Sequence, residues 1–289
     1  MKALIFGTSG QVARELARRA PGHVRLAALG RDMADLTDPQ SCARAVAEAD
    51  ADVVINAAAY TAVDRAENDP ETAEIVNAGA PGAMARASVL RGVPFLHIST
   101  DYVFDGTGTL PHKEGDAVSP LGAYGASKLK GEELVAGAGG PHAILRTSWV
   151  FSSHGTNFVK TMLRLGAQCD ALKIVDDQLG GPTPAAAIAD ALWIIAAALH
   201  EGRGETGVFH LAGTPTVSWA DFAEAIFARS GTLKPPKITR IPTTKFPTPA
   251  RRPLNSRLDC TRIGKAYGIE PPHWRDYLAE VIRELETST

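Results

Sequence analysis

Cysteine is scarce: Cys42, Cys169 and Cys260 are three in 289 residues, odd in number and far apart, which excludes a disulfide framework and the close spacing of a zinc site. That usage points to a reducing compartment, the cytoplasm. Long apolar runs are missing too. The longest, Ala185 to Leu199, is interrupted by Asp190 and falls short of the roughly 20 residues a bilayer span needs, so it reads as a buried helix and no membrane partner is expected. The apolar residues after Lys2 stop at Gly7, and no export signal is expected. Neither sign of charge is in excess. Thirty Lys plus Arg against 32 Asp plus Glu leave a formal charge of -2, which argues against a nucleic-acid surface spread over the molecule. With 45% apolar and 21% charged residues there is no disordered signature, and the length suits two domains or one elaborated domain.

What is present is alternation. Up to about residue 150, short aliphatic or β-branched runs occur at Ala3 to Phe6, Val24 to Leu29, Val53 to Ile55, Phe95 to Ile98 and Ala143 to Thr147. Helical patterns separate them at Gln11 to Ala20, Gln40 to Ala49, Glu71 to Arg91 and Ala123 to Ala136. The runs carry no alternating polar face, so they predict a parallel sheet covered by helices on both sides. Beyond residue 150 the regularity loosens, with one further strand at Gly207 to Leu211 and one further helix at Trp219 to Ser230. Between Gly231 and Lys265 stand Lys234, Lys237, Arg240, Lys245, Arg251, Arg252, Arg257, Arg262 and Lys265 against the single acid Asp259, together with six prolines. That window carries +8 in a chain of -2, so the remainder carries about -10 and the basic segment is a local feature.

After the first strand comes Gly7-Thr8-Ser9-Gly10-Gln11-Val12-Ala13, a G-x-x-G-x-x-A turn into a helix. Gly7 allows the tight turn, Gly10 lets a pyrophosphate approach the backbone, and the small Ala13 lets the helix pack close to the strand. The same glycines also suit an ordinary turn. About 20 residues on, where the ribose of a bound dinucleotide is read, stand Arg31, suited to the 2′-phosphate of NADP, and Asp32, suited to the 2′-hydroxyl of NAD. NADPH is the expected coenzyme, with NADH the alternative. The fold expected is therefore α/β, a Rossmann-type doubly wound parallel sheet with a smaller C-terminal substrate-binding domain. Its dinucleotide-binding domain covers 1–150 and the substrate-binding domain mainly 151–289, with 207–230 returning to the sheet.

Tyr124 and Lys128 are four apart on a predicted helix and share one face. An ammonium there favours the phenolate and is expected to pull the phenol down from its ordinary value near 10, making proton exchange useful. A solvated helical pair fits the same spacing. Ser99-Thr100-Asp101 follows a strand and so sits at the carboxyl edge of the sheet, where such folds bind ligands; the Thr100 hydroxyl can donate to a carbonyl oxygen and accept from a tyrosine. Asn56-Ala57-Ala58-Ala59-Tyr60-Thr61 ends another strand with small residues that permit close approach of a cofactor.

Together, the glycine turn, Asn56 to Ala59, Ser99-Thr100 and the Tyr124/Lys128 pair resemble the extended short-chain dehydrogenase/reductase superfamily. Within it, Ser99 to Phe104, Arg146 to Val150, Asn157-Phe158, Asp177-Gln178 with Pro182-Thr183, and Arg252-Pro253 with Asn255 to Leu258 resemble the dTDP-4-dehydrorhamnose reductase family nearly end to end. The resemblance implies hydride transfer from a nicotinamide to C4 of dTDP-4-dehydro-L-rhamnose, giving dTDP-L-rhamnose. Tyr124 would protonate the alkoxide, Lys128 would hold the nicotinamide ribose and tune the tyrosine, and Thr100 would orient the carbonyl. Expected dinucleotide contacts are Gly7, Gly10, Gln11, Val12, Arg31, Asp35, Leu36, Ala57, Ala58, Ala59, Thr61, Tyr124 and Lys128. Expected sugar-nucleotide contacts are Thr100, Asp101, Trp149, Asn157 and Arg252, the last as a diphosphate clamp.

Three departures narrow the resemblance. Glu15 stands where some members carry a carboxylate at a magnesium-linked dimer interface, but Ala186 occupies the place of another. No metal is therefore expected, and the chain is a monomer or homodimer. Sugar-nucleotide 4,6-dehydratases carry Thr-Asp-Glu where this chain has Thr100-Asp101-Tyr102, and the related epimerase-reductases need a cysteine at this edge, where none of the three lies. Two alternatives stay open: reduction of another dTDP-4-keto-6-deoxysugar, and a non-catalytic subunit resembling the regulatory subunit of methionine adenosyltransferase.

Overall fold

In a computed structural model, which describes residues 1–231 and 235–287, the apolar runs form β1 (Lys2–Phe6), β2 (Arg25–Leu29), β3 (Val53–Asn56), β4 (Phe95–Thr100) and β5 (His142–Thr147). Lys234 of the basic segment lies outside the described residues. Between these strands run α1 (Gln11–Arg18), α2 (Pro39–Glu48), α3 (Val63–Ala66), α4 (Pro70–Glu74), α5 (Ala80–Arg91) and α6 (Ala123–Gly137). The chain continues through β6 (Val150–Phe151), α7 (Phe158–Gly166), β7 (Ala171–Val175), β8 (Leu179–Gly180), β9 (Thr183–Pro184) and α8 (Ala185–His200). It ends with β10 (Gly207–His210), β11 (Val217–Ser218), α9 (Trp219–Arg229), β12 (Lys237–Ile241), β13 (Asn255–Ser256), α10 (Thr261–Tyr267) and α11 (Trp274–Thr287).

Six of these strands make one parallel sheet in the order β2-β1-β3-β4-β5-β10. The winding reverses between β1 and β3, and a crevice opens past the carboxyl ends of the strands at such a reversal. Both faces are covered, as runs without a polar alternation require. Val12 and Leu16 of α1 and the apolar residues of α8 pack on one face. Cys42 and Val46 of α2, Met84 of α5 and Val135 of α6 pack on the other. Helix α8 is apolar nearly all round because it is buried nearly all round, with Ile188, Leu192 and Ile195 fully enclosed. Among the described residues, no helix is long and apolar enough to cross a membrane. A third core forms from Phe151, Met162, Phe222, Phe227, Trp274 and Leu278, contributed by β6, α7, α9 and α11.

Glu71 to Arg91 reads as one helix, yet the structure interrupts it. A π-helical turn over Ile75–Gly79 joins α4 to α5. Pro81 supplies the cause: it has no N–H to donate to the carbonyl of Asn77 four residues back, so the regular ladder cannot pass this point. The turn also presents Asn77 inward. Its Oδ1 accepts from the N–H of Tyr60 at 2.8 Å, and its Nδ2 donates to the Tyr60 carbonyl at 3.0 Å and to Ser127 Oγ at 3.0 Å. The loop after β3 is thereby tied to α6.

Helix α6 crosses these neighbours at glycine distance. A Cβ on Gly131 would stand 2.1 Å from the Asn77 carbonyl oxygen, and one on Gly125 would stand 2.2 Å from that of Tyr102. We expect Gly131→Ala to destabilise the fold by about 1–3 kcal/mol, read as a lower urea midpoint, because backbone on both sides must shift. Gly137→Ala in the same helix meets nothing within 4 Å and is expected to be neutral or slightly stabilising. Equal midpoints for the two variants would contradict this packing.

Candidate active site

A cleft of about 670 Å³ opens at the carboxyl edge of the sheet. Gly7, Gly10, Gln11, Val12, Ala57, Ala58, Ala59 and Thr61 line it together with Thr100, Asp101, Tyr124, Lys128 and Trp149. The glycine turn has the geometry its spacing suggests. Gly7 adopts φ +113, a region that favours glycine, and a Cβ there would press on Ala13 and on the Ala57 backbone at 3.4 Å. No side chain caps α1 at Gly10, so the first-turn N–H groups face no competing side-chain acceptor. A glycine-lined cradle at a helix start beside three alanines fits the diphosphate of a dinucleotide.

Strand β4 and helix α6 bring the three proposed reacting groups to this cleft. Thr100 ends β4; its hydroxyl donates to Asp101 Oδ1 at 3.1 Å and accepts from the N–H of Tyr102 at 3.2 Å. It is also within hydrogen-bonding reach of the Tyr124 phenol. Lys128 Nζ donates to the Ile98 carbonyl at 2.6 Å and lies 3.0 Å from His97 Nε2. The phenol does not behave as the spacing suggests. Burial pushes Tyr124 up to about 12, its hydrogen bond with Thr100 pulls against that shift, and the Asp101 charge adds to it. Desolvation dominates, and Lys128, which burial itself lowers to about 8 against the opposing charge of Glu132, is not among the groups that shift the phenol. Burial likewise raises Asp101 to about 6, with Ser256 and Thr100 opposing.

Other expected contacts lie outside the lining. Asn157 caps α7, accepting from the N–H of Lys160 at 3.1 Å, while its Nδ2 donates to Gln11 Oε1 at 2.9 Å and to the Ser152 carbonyl at 2.7 Å. Its amide braces the glycine turn from behind. Arg31 is exposed and turns toward Asp35, with Nε 3.0 Å from Oδ2, and Asp35 also accepts from the N–H of Thr37. Asp32 Oδ1 lies over Gly30, where a Cβ would meet it at 2.6 Å. Leu36 packs into the core beneath α2. Arg252 grips Asp64 through two bonds of 3.1 and 2.7 Å, and touches the cleft only through its neighbour Tyr102.

The basic segment spends much of its charge internally. Arg240 binds Asp176, Asp221 and Glu224, Arg257 donates to Asn255 Oδ1, and Arg262 lies over the Phe209 ring at 4.7 Å. The carboxylate of Glu15 is engaged by Arg18 at 2.8 Å and His154 at 3.1 Å, cationic or neutral nitrogen donors that do not fit a magnesium site. Among the described residues, no group of His, Cys, Asp and Glu forms a metal cluster.

Glu132 and Trp219 help hold the site yet belong to none of the quoted motifs. Glu132, one turn beyond Lys128, accepts from Ser99 Oγ at 2.5 Å and forms a buried pair with Arg146 at 2.6 Å, so α6 is bolted to β4 and β5. Trp149 adopts φ +50, a strained region for a non-glycine residue costing about 1–3 kcal/mol. Trp219 compensates by stacking on it with ring centroids 3.5 Å apart, and Gly180 leaves room for the indole. Only the glutamate's helical spacing, i to i+4 from Lys128, was available as a signal.

A family model described as RmlD substrate binding domain matches residues 1–287. A dTDP-4-dehydrorhamnose reductase of Burkholderia thailandensis is 45% identical over 99% of this chain and 99% of its own. The chain belongs to the dTDP-4-dehydrorhamnose reductase family. A crystal structure of the family member from Clostridium acetobutylicum superposes with a TM-score of 0.92 at 37% identity, covering 99% of this chain and 100% of that one. The family member from Bacillus anthracis, solved in complex with NADP, gives a TM-score of 0.89 at 31% identity over 98% and 99% of the two chains. Membership of the reductase family and the Rossmann-type sheet thus agree with the sequence reading.

Glu132→Gln should test the bolt under this family's cleft. Leaving Arg146 buried without its counter-charge is expected to cost about 3–5 kcal/mol, measured as loss of unfolding free energy in urea. A loss below about 1 kcal/mol would show the pair to be dispensable.

Proposed function

We propose that the chain is an NADPH-dependent oxidoreductase that reduces the 4-keto group of dTDP-4-dehydro-L-rhamnose to give dTDP-L-rhamnose. The observation that carries this reading is the meeting of Thr100, Tyr124 and Lys128 in the cleft that also contains the Gly7 to Val12 turn. The relatives' names supply the sugar nucleotide. Gly7, Gly10, Gln11, Val12, Ala57, Ala58, Ala59 and Thr61 hold the dinucleotide, which when bound supplies the hydride. Tyr124 gives its proton to the alkoxide. A phenol near 12 is fully protonated at neutral pH, the form a proton donor needs.

The Thr100 proton, committed to Asp101, turns to the ketone oxygen at the cost of about one hydrogen bond. Trp149, held against Trp219, offers the sugar a flat wall, and Asp101 lies beside it in the lining. Arg252 reaches a diphosphate only by letting go of Asp64, so the clamp exchanges one anion for another.

Product analysis after supplying dTDP-4-dehydro-L-rhamnose with each nicotinamide tests the sugar, the reaction and the coenzyme together. Rhamnose formed with NADPH supports the reading, and silence with every 4-keto sugar nucleotide would favour a regulatory subunit. In Tyr124→Phe we expect kcat to fall by roughly 10² to 10⁴ while cofactor affinity stays near wild type. Arg31→Ala should weaken NADPH much more than NADH; equal losses would remove Arg31 from coenzyme selection.

A further inference from the structure

Gln11, the first residue of α1, lines the cleft beside Gly7 and Gly10, and its side-chain amide has two unlike ends. An oxygen turned to a diphosphate repels it, whereas an N–H attracts it. Asn157 decides between them. Its Oδ1 accepts from the backbone N–H of Lys160 at 3.1 Å, and its Nδ2 donates to the carbonyls of Ser152 at 2.7 Å and His154 at 3.2 Å. A backbone N–H can only donate and a carbonyl can only accept, so the Asn157 amide has a single orientation. The Gln11 atom 2.9 Å from Nδ2 is then an acceptor, Oε1. Ser152 Oγ accepts the N–H of His154 at 3.1 Å and donates to the same oxygen at 2.9 Å, nearer than the His154 carbonyl at 3.3 Å.

The other end of the Gln11 amide lies on the cleft side. Nε2 stands 3.4 Å from the carbonyl of Val150, which lines the cleft, whereas Ser152 and Asn157 do not. A bond of that length is weak, so the donor is only loosely committed. The loop that carries Ser152 and Asn157 is fixed to α1 a second time, by His154 Nε2 on Glu15 Oε1 at 3.1 Å. We infer that Asn157 is a positioning residue that locks the Gln11 amide with its N–H groups toward the cleft, so that the side chain joins the first-turn N–H groups in holding the diphosphate of the dinucleotide. This gives Asn157 a role at the coenzyme rather than at the sugar, and it rests on the dinucleotide site of the reductase reading. Hydrogen bonds to an ionised acceptor are the strong kind, so the orientation of one amide carries weight in affinity.

Binding of ADP-ribose, which keeps the diphosphate and lacks the nicotinamide, tests this by calorimetry without turnover. Asn157→Asp retains the acceptor for Lys160 but sets an acceptor against Gln11, which should reverse the amide. ADP-ribose affinity is expected to fall about tenfold or more, the worth of one hydrogen bond to a charged group. In a Gln11→Ala background the same change should cost less than about threefold, because the residue it acts through is gone. Equal losses in the two backgrounds would overturn the lock, whatever sugar the enzyme reduces. Proton NMR of wild-type protein with labelled glutamine gives a second readout that needs no variant. A Gln11 Nε2 proton should move downfield when ADP-ribose binds, and an unmoved signal would refute the proposal. A shifted amide in a protein that reduces no 4-keto sugar would support the lock while overturning the reaction.

Discussion

The close approach of α6 to the carboxyl end of β4 is the constraint on which the site depends. Two buried contacts enforce it, Lys128 on the Ile98 carbonyl and Glu132 on Ser99 and Arg146, while Ser127 with Asn77 ties the same helix to the π turn. None is cheap to satisfy halfway, because a buried charge or amide without its partner costs several kcal/mol. Glycines at 125 and 131 make the distance attainable, since any side chain at either place would collide with a carbonyl oxygen. The result is one helix that delivers the Tyr124 phenol and Lys128 Nζ to the same edge at which β4 delivers a threonine.

Burial then sets the chemistry. Tyr124, Lys128 and Asp101 all shift in the direction that disfavours charge, toward about 12, about 8 and about 6. The spacing of Tyr124 and Lys128 suggests an ion-assisted phenolate; the packed site presents a protonated phenol instead. Buried or half-buried ion pairs form where partners exist, Glu132 with Arg146 and Asp64 with Arg252. The same economy governs the basic segment, whose arginines are largely engaged with acids or an aromatic ring of the chain itself.

Much of the sheet and of the cleft was legible in the residues because the signals are local. Uninterrupted apolar runs of three or four residues, Ala3 to Phe6 and Ala143 to Leu145, mark strands buried on both faces, and Gly7, Gly10 and Ala13 sit at intervals that suit a strand-to-helix turn. The parts that stayed hidden are those whose meaning depends on a distant neighbour. The strands β8, β9 and β11 are two residues long and have no period to read. The π turn at Ile75–Gly79 follows from Pro81 and from the need to hold Tyr60. Asn157 reads as a ligand contact by resemblance; its bond to Gln11 was not legible, because it depends on the loop from β6 returning over the start of α1.

By itself the sequence determined the layered α/β architecture, the family and the identities of the groups that gather in the cleft, because periodicity, turn residues and spacing along a helix are properties of neighbouring residues. Only the tertiary structure decided which groups burial shifts away from charge, which acid Arg252 holds, and which expected contacts lie outside the cleft lining. Those outcomes depend on desolvation and on hydrogen-bond partners tens or hundreds of residues away, and no local pattern encodes them.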